Sequence, residues 1–161
     1  MDVRFQMGPK FTPIPGAQGF QQSNPAALTI ASLLGSLQTF KKAGMMGPLR
    51  ERSKALTGKL DSLLRQSKFF VPPEQASRTN NPGFTIITPG DPESRGAQLS
   101  LLFLPQGTGV MDRAFAGLKE WGVVGDDRKP DVIRLAPTPL YNTEEDVEAA
   151  AKYLEIVLAN L

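Results

Sequence analysis

Apolar residues recur at Ile30, Leu33, Leu34, Leu37 and Phe40, and this spacing of three and four predicts a helix with one apolar face. Ser23, Asn24 and Pro25 precede it as a helix start, with Asn24 as the capping side chain and Pro25 at the first helical position, where a missing N–H costs nothing. Gly44 supplies the stop. A second stripe, Leu49, Leu56, Leu60, Leu63 and Leu64, predicts a helix over residues 48–67, with Arg50, Arg52, Lys54, Lys59 and Asp61 as its solvated face. The polar, Pro-rich residues 71–83 read as a surface loop. Two short β patterns, 84–88 and 97–104, flank a turn holding Pro89, Gly90, Asp91 and Pro92, which suggests a hairpin. A helix over 110–121, marked by Val110, Phe115 and Leu118 and stopped by Gly122, comes next. It is followed by a short strand at Val123 and Val124, a charged turn over 126–129, and a strand over 132–136.

The last helix opens at Thr143, whose hydroxyl caps the backbone while Asp146 reaches back as in a capping box. Its stripe is Val147, Ala150, Leu154, Val157, Leu158 and Leu161. No internal repeat is present. The order of pieces predicts an α+β fold: a two-layer small domain with a 3–4-stranded, mostly antiparallel sheet and helices on one face. Residues 1–25 stand apart as a Gly/Pro-rich leader. Gly8, Pro9, Pro13, Pro15, Gly16, Gly19 and Pro25 forbid a helix there, and Phe5, Phe11 and Phe20 between them require a surface to lie on. Residues 26–161 form the domain proper.

Composition narrows the chemistry. The 161 residues include no Cys and no His, which removes disulfides, thiolate nucleophiles, Ser-His dyads and metal sites built on imidazole or sulfur. A formal charge of +2, with both signs scattered along the chain, does not suit nucleic acid. No apolar run approaches a membrane span, and MDVRFQMGPK has no apolar core of a secretory signal. These features point to a cytoplasmic chain with no nucleic-acid or membrane partner.

Strand alternation sets Val132, Arg134 and Ala136 on one face and Ile133 with Leu135 on the other. Arg134 then has two readings. It projects into a cleft as a bidentate fork for a carboxylate, or it reaches from an edge strand to a local Asp. Asn24 is likewise either a helix cap or a donor at a Gly-rich approach, Gly16-Ala17-Gln18-Gly19, that offers N–H groups to an anion. All nine Lys fall on polar helix faces, in turns or in the leader, so none suits a Schiff-base role, which needs a desolvated or otherwise tuned amine. The pairs Asp126-Asp127 and Glu144-Glu145 are sequence neighbours pointing apart, not acid/base pairs.

Four long stretches together carry a resemblance: PKFTPIPGAQGFQQSNP (9–25), KAGMMGPLRERSKALTGKL (42–60), FTIITPGDPESRGAQLSL (84–101) and GVVGDDRKPDVIRLAPTPLYNTEEDV (122–147). In this order they resemble the C-terminal part of the kynureninases, pyridoxal 5'-phosphate enzymes of the aspartate aminotransferase-like fold type. The resemblance implies the small C-terminal domain of that fold type, with the leader lying against a large domain or a partner subunit. It implies that Asn24 contacts the cofactor phosphate, that Ser23 lies near the substrate ring, and that Arg134 holds the substrate α-carboxylate. The implied reaction is hydrolysis of L-kynurenine or 3-hydroxykynurenine to anthranilate or 3-hydroxyanthranilate plus L-alanine, in tryptophan catabolism and nicotinamide nucleotide synthesis, by a homodimer. The family's Schiff-base Lys has no counterpart here, and Trp121 does not match its phosphate-binding Trp. The expectation is therefore a C-terminal piece that is inactive alone, or else a non-catalytic interaction module derived from the family.

Overall fold

A computed structural model describes residues 8–161, so Phe5 lies outside the described residues. The chain divides into two compact units, Met1–Lys42 and Ala43–Leu161.

In the first unit Gly16, at φ 80°, leads into a single 3-10 turn, Ala17–Phe20, closed by Gly19 N–H donating to Gly16 O at 3.0 Å. A Cβ on Gly19 would stand 2.2 Å from Ile14 O, so this turn demands glycine for its own geometry. Phe11 and Phe20 are exposed. Helix α1, Ala27–Lys42, starts later than the sequence pattern suggests: Ala26 O accepts from Ile30 N–H, which leaves Asn24 and Pro25 ahead of the helix. Ser23, at φ 65°, makes the chain irregular just ahead of it. No residue of α1 is buried, and the expected stripe of Ile30, Leu33, Leu34 and Leu37 is exposed.

The second unit is a four-stranded antiparallel sheet with three helices. Its elements are α2 (Met46–Gln66), β1 (Gly83–Ile86), β2 (Leu99–Leu104), α3 (Val110–Glu120), β3 (Asp126–Arg128), β4 (Val132–Leu135) and α4 (Glu144–Ala159), and the strand order is β1-β2-β4-β3. Phe84, Ile86, Leu99, Leu101, Phe103, Ile133 and Leu135 share one sheet face. They form one core with Leu56, Leu60 and Leu64 of α2, Met111, Ala114 and Leu118 of α3, and Val147, Leu154 and Leu158 of α4. The hairpin, the two-layer arrangement and the helices on one face match the sequence reading.

One strand does not. Val123 and Val124 are irregular, with Val124 92% exposed, and the edge strand β3 is the charged stretch that reads as a turn. Its register sets Asp126 opposite Arg134 and Arg128 opposite Val132, so pairing there follows charge rather than apolar burial. The charges on α2 also do more than meet solvent. The Arg52 fork donates from Nε to Pro139 O and from Nη2 to Asn142 O, both at 2.9 Å, and Arg50 donates to Pro92 O. Thr57, buried on the same helix, donates to Ala97 O at 3.0 Å.

Helix ends are fixed by local chemistry. Gly122, at φ 74°, ends α3 in a Schellman arrangement, with Val123 N–H donating to Leu118 O at 2.9 Å and Gly122 N–H to Lys119 O at 3.0 Å. Thr143 and Asp146 make both bonds of the capping box on α4. The buried Asp131 carboxylate accepts the Gly107 N–H at 3.0 and 3.1 Å, tying the β2–α3 turn to the start of β4.

Two outcomes follow. A Cβ on Gly117 would lie 2.8 Å from Val157 Cγ1 and 3.0 Å from Cγ2, and valine is stiff at χ1. Gly117→Ala should therefore destabilise by about 1–3 kcal/mol from overpacking, reversing the ~1 kcal/mol that alanine gains in a helix. Thermal denaturation should show this, and Val157→Ala in the same chain should show a favourable coupling. Backbone donation from Thr143, then the Asn142 side chain, holds the Asp146 carboxyl below its ordinary value. A lowered folded pKa stabilises above the unfolded value and loses that contribution as pH falls through the folded one. Melting curves from pH 7 to about 3 should thus fall less steeply for Asp146→Asn than for the parent, with the difference opening below about pH 4.

Candidate functional site

Arg134 sits on β4, an interior strand, between Ser100 of β2 and Asp126 of β3 in register. Ile133 and Leu135 on either side are buried in the helix-covered face, so Arg134 emerges on the opposite face with Thr85, Ser100, Leu102 and Val132. That face, which α2, α3 and α4 leave free, is half-buried at Ser100, Leu102 and Val132. The Arg134 side chain is 29% exposed; its Nη2 donates to Asp126 Oδ2, while its Nε is shielded and has no hydrogen-bond partner among the described residues. Arg134 thus reaches a local Asp, from an interior strand and not from the edge strand expected. Arg128 Nη2 also contacts Asp126 Oδ2, at 3.0 Å.

Ser23 and Asn24 belong to the other unit, in the irregular segment before α1, where both are exposed. Gln21 Nε2 donates to Ser23 O at 2.7 Å, which braces the backbone and leaves the Ser23 hydroxyl and the Asn24 amide without intramolecular bonds among the described residues. Asn24 does not cap α1, and its side chain is exposed.

No lysine of the chain suits imine formation with a pyridoxal aldehyde, which requires a neutral amine. The two half-buried lysines are both paired: Lys59 with Glu144 and Glu148 at 2.6 Å each, Lys54 with Glu93 at 2.6 Å and Glu51 at 3.2 Å. These hydrogen bonds, from Glu144 foremost on Lys59 and from Glu93 foremost on Lys54, push both ammonium groups above the usual lysine range, the reverse of what such a role needs. The other seven are exposed. By themselves the lysines present do not fit a covalently anchored cofactor.

Two features escape the sequence reading. Asp126, taken as part of a turn, is the carboxylate that meets Arg134. Arg95, just before β2, holds its Nε and Nη1 shielded without partners among the described residues. The pairing of Asp126 with Arg134 and of Arg128 with Val132 is what makes β3 a strand. On the helix side of the sheet a cleft of about 500 Å³ opens between the end of α3, α4 and the loop after β4. Trp121 and Tyr153 stack at its rim with centroids 4.7 Å apart, which gives Trp121 a packing role; Arg134 does not line this cleft. Among the described residues no helix is long and apolar enough to cross a membrane.

Comparison with known proteins agrees with the fold. The family description "Kynureninase C-terminal domain" matches residues 49–154. The chain is 50% identical over 156 residues to the kynureninase of Yarrowia lipolytica, covering 95% of this chain and 35% of that protein. It is 48% identical over 163 residues to the kynureninase of Eremothecium gossypii, covering 99% and 36%, and 50% identical over 145 residues to that of Coccidioides immitis, covering 90% and 28%. The chain thus spans about a third of the length of these relatives. With the domain match extending from α2 into α4, the chain belongs to the kynureninase family.

Proposed function

We propose that this chain forms the substrate-carboxylate side of a kynureninase, serving hydrolysis of the Cβ–Cγ bond of L-kynurenine or 3-hydroxykynurenine to anthranilate or 3-hydroxyanthranilate plus L-alanine. The observation that carries this reading is Arg134, a guanidinium on the sheet face opposite α2, α3 and α4, whose shielded Nε has no hydrogen-bond partner among the described residues. A planar fork suits the α-carboxylate of an amino acid, which a lysine in its place would bind only as a point charge. The Asn24 amide suits the phosphate of the cofactor, and the Ser23 hydroxyl suits the edge of the substrate ring. Pyridoxal phosphate, when bound, supplies the electron sink for breaking the carbon–carbon bond. Its covalent anchor falls to residues beyond this chain, because no lysine here has the required environment. Residues 1–25 act as a leader whose Phe11 and Phe20 lie on a large domain or a partner subunit, and 26–161 act as the small domain of a cytoplasmic homodimer.

The exposed stripe of α1 favours a second reading, a non-catalytic interaction module that keeps the family's contact surface. Reconstitution separates the two. The purified chain with pyridoxal phosphate and L-kynurenine should release no anthranilate and leave the cofactor's absorbance unchanged. Addition of a separately produced kynureninase large domain should start turnover, whereas binding without turnover would favour the interaction module. In the reconstituted enzyme Arg134→Ala should lower kcat/KM by about 1.5–3 kcal/mol, chiefly through KM, as expected for loss of a charge-assisted bond. An unchanged KM would remove Arg134 from the site.

A further inference from the structure

The structure assigns Asp126 as the positioning residue that holds the Arg134 guanidinium ready for a carboxylate. The inference rests on the proposed role of Arg134 and deepens it. Arginine carries four side-chain torsions and loses freedom when its head is fixed, so an unrestrained Arg134 would sample more orientations on its half-buried face of the sheet. Asp126 lies directly opposite it on β3, where side chains share a face at close range, and takes a single donor, Nη2. Nε remains without a partner among the described residues, shielded from solvent and therefore costly until an acceptor arrives. One carboxylate oxygen thus orients the planar group while leaving donors for a ligand.

Charge within the cluster fits the same assignment. Arg128 Nη2 meets the same Asp126 oxygen at 3.0 Å, so two guanidinium groups share one carboxylate. A simple ion pair would be neutral and would offer little to an anion. The trio itself carries a net positive charge, two guanidinium groups against one carboxylate, and the second arginine meets Asp126 from the edge strand. Asp126 is itself half-exposed, so it can remain on Nη2 while a second carboxylate takes the rest of the fork.

A rival account has the opposite sign. If Asp126 merely occupies the fork, its removal frees Arg134 and raises the local positive charge, and both effects tighten anion binding. If Asp126 positions Arg134, its removal weakens binding despite the more favourable charge. The test is a titration of the 161-residue chain with sodium acetate at constant ionic strength, read at the Arg134 Nε–H resonance in nitrogen-15 NMR. Arg65, paired with Asp61 on α2, serves as the internal control. The parent chain should show a saturable shift at Arg134 and none at Arg65. Asp126→Asn should lower the acetate affinity about tenfold, equivalent to about 1.4 kcal/mol, and Asp126→Glu should recover part of it. Unchanged Ile133 and Leu135 amide signals would show that β4 is intact in each variant. Equal or tighter binding by Asp126→Asn overturns the assignment while leaving Arg134 as the carboxylate residue. No shift at Arg134 in the parent or in Asp126→Asn removes Arg134 from carboxylate recognition, and Asp126 with it.

Discussion

Alternation along β4 binds the hydrophobic core to the candidate site. Ile133 and Leu135 are buried against the helices, so Arg134 between them has only the other face of the sheet to occupy. A slip of one residue would bury a guanidinium among leucines and expose two large aliphatic side chains, a cost far above the stability of a small domain. Register is therefore enforced by the whole core. The two faces divide the labour: one packs against the helices, and the other carries Arg134 and Ser100 beside half-buried Leu102 and Val132 and a buried Thr85.

The surroundings of β4 are consistent with this division. Arg52 holds the loop after the strand by two backbone carbonyls, and Asn142 in that loop accepts from Thr138 N–H at 2.8 Å before the capping box of α4 begins. Lys59 then reaches across to Glu144 and Glu148 in the first two turns of α4. Exposed ion pairs of this kind add little stability one by one. Their effect is geometric, since they fasten α2 to the segment that continues from Arg134.

Much of this fold is legible in the sequence because its helices present strong stripes. Leu49, Leu56, Leu60 and Leu64 are enough to find α2, and Thr143 with Asp146 marks the start of α4. The edge strand β3 is not legible: three residues, two of them acidic, give no apolar period, and their partner strand is recognised only once Asp126 is seen opposite Arg134. The partners of Arg50 and Arg52 are equally hidden, since they lie 42, 87 and 90 residues away. Asn24 looks like a cap because Asn-Pro is a common start, yet the helical bonding begins only at Ala26 O, two residues later. The stripe of α1 is readable while what covers it is not, because amphipathicity reports that a face needs burial and says nothing about by whom. For the site, Arg134 can be picked out by its alternation, whereas Asp126 depends on a cross-strand pairing that no local pattern carries.

Asp131 has a consequence at the opposite end of the strand. Its buried carboxylate grips the Gly107 N–H where β4 begins, and the Arg52 fork grips the chain just beyond where β4 ends. The strand behaves as a short beam clamped at both ends. Whatever motion its guanidinium retains must then come from the side-chain torsions rather than from the backbone. The entropy lost on capturing an anion is accordingly limited to about 2 kcal/mol of rotamer freedom, part of it already spent when the chain folds.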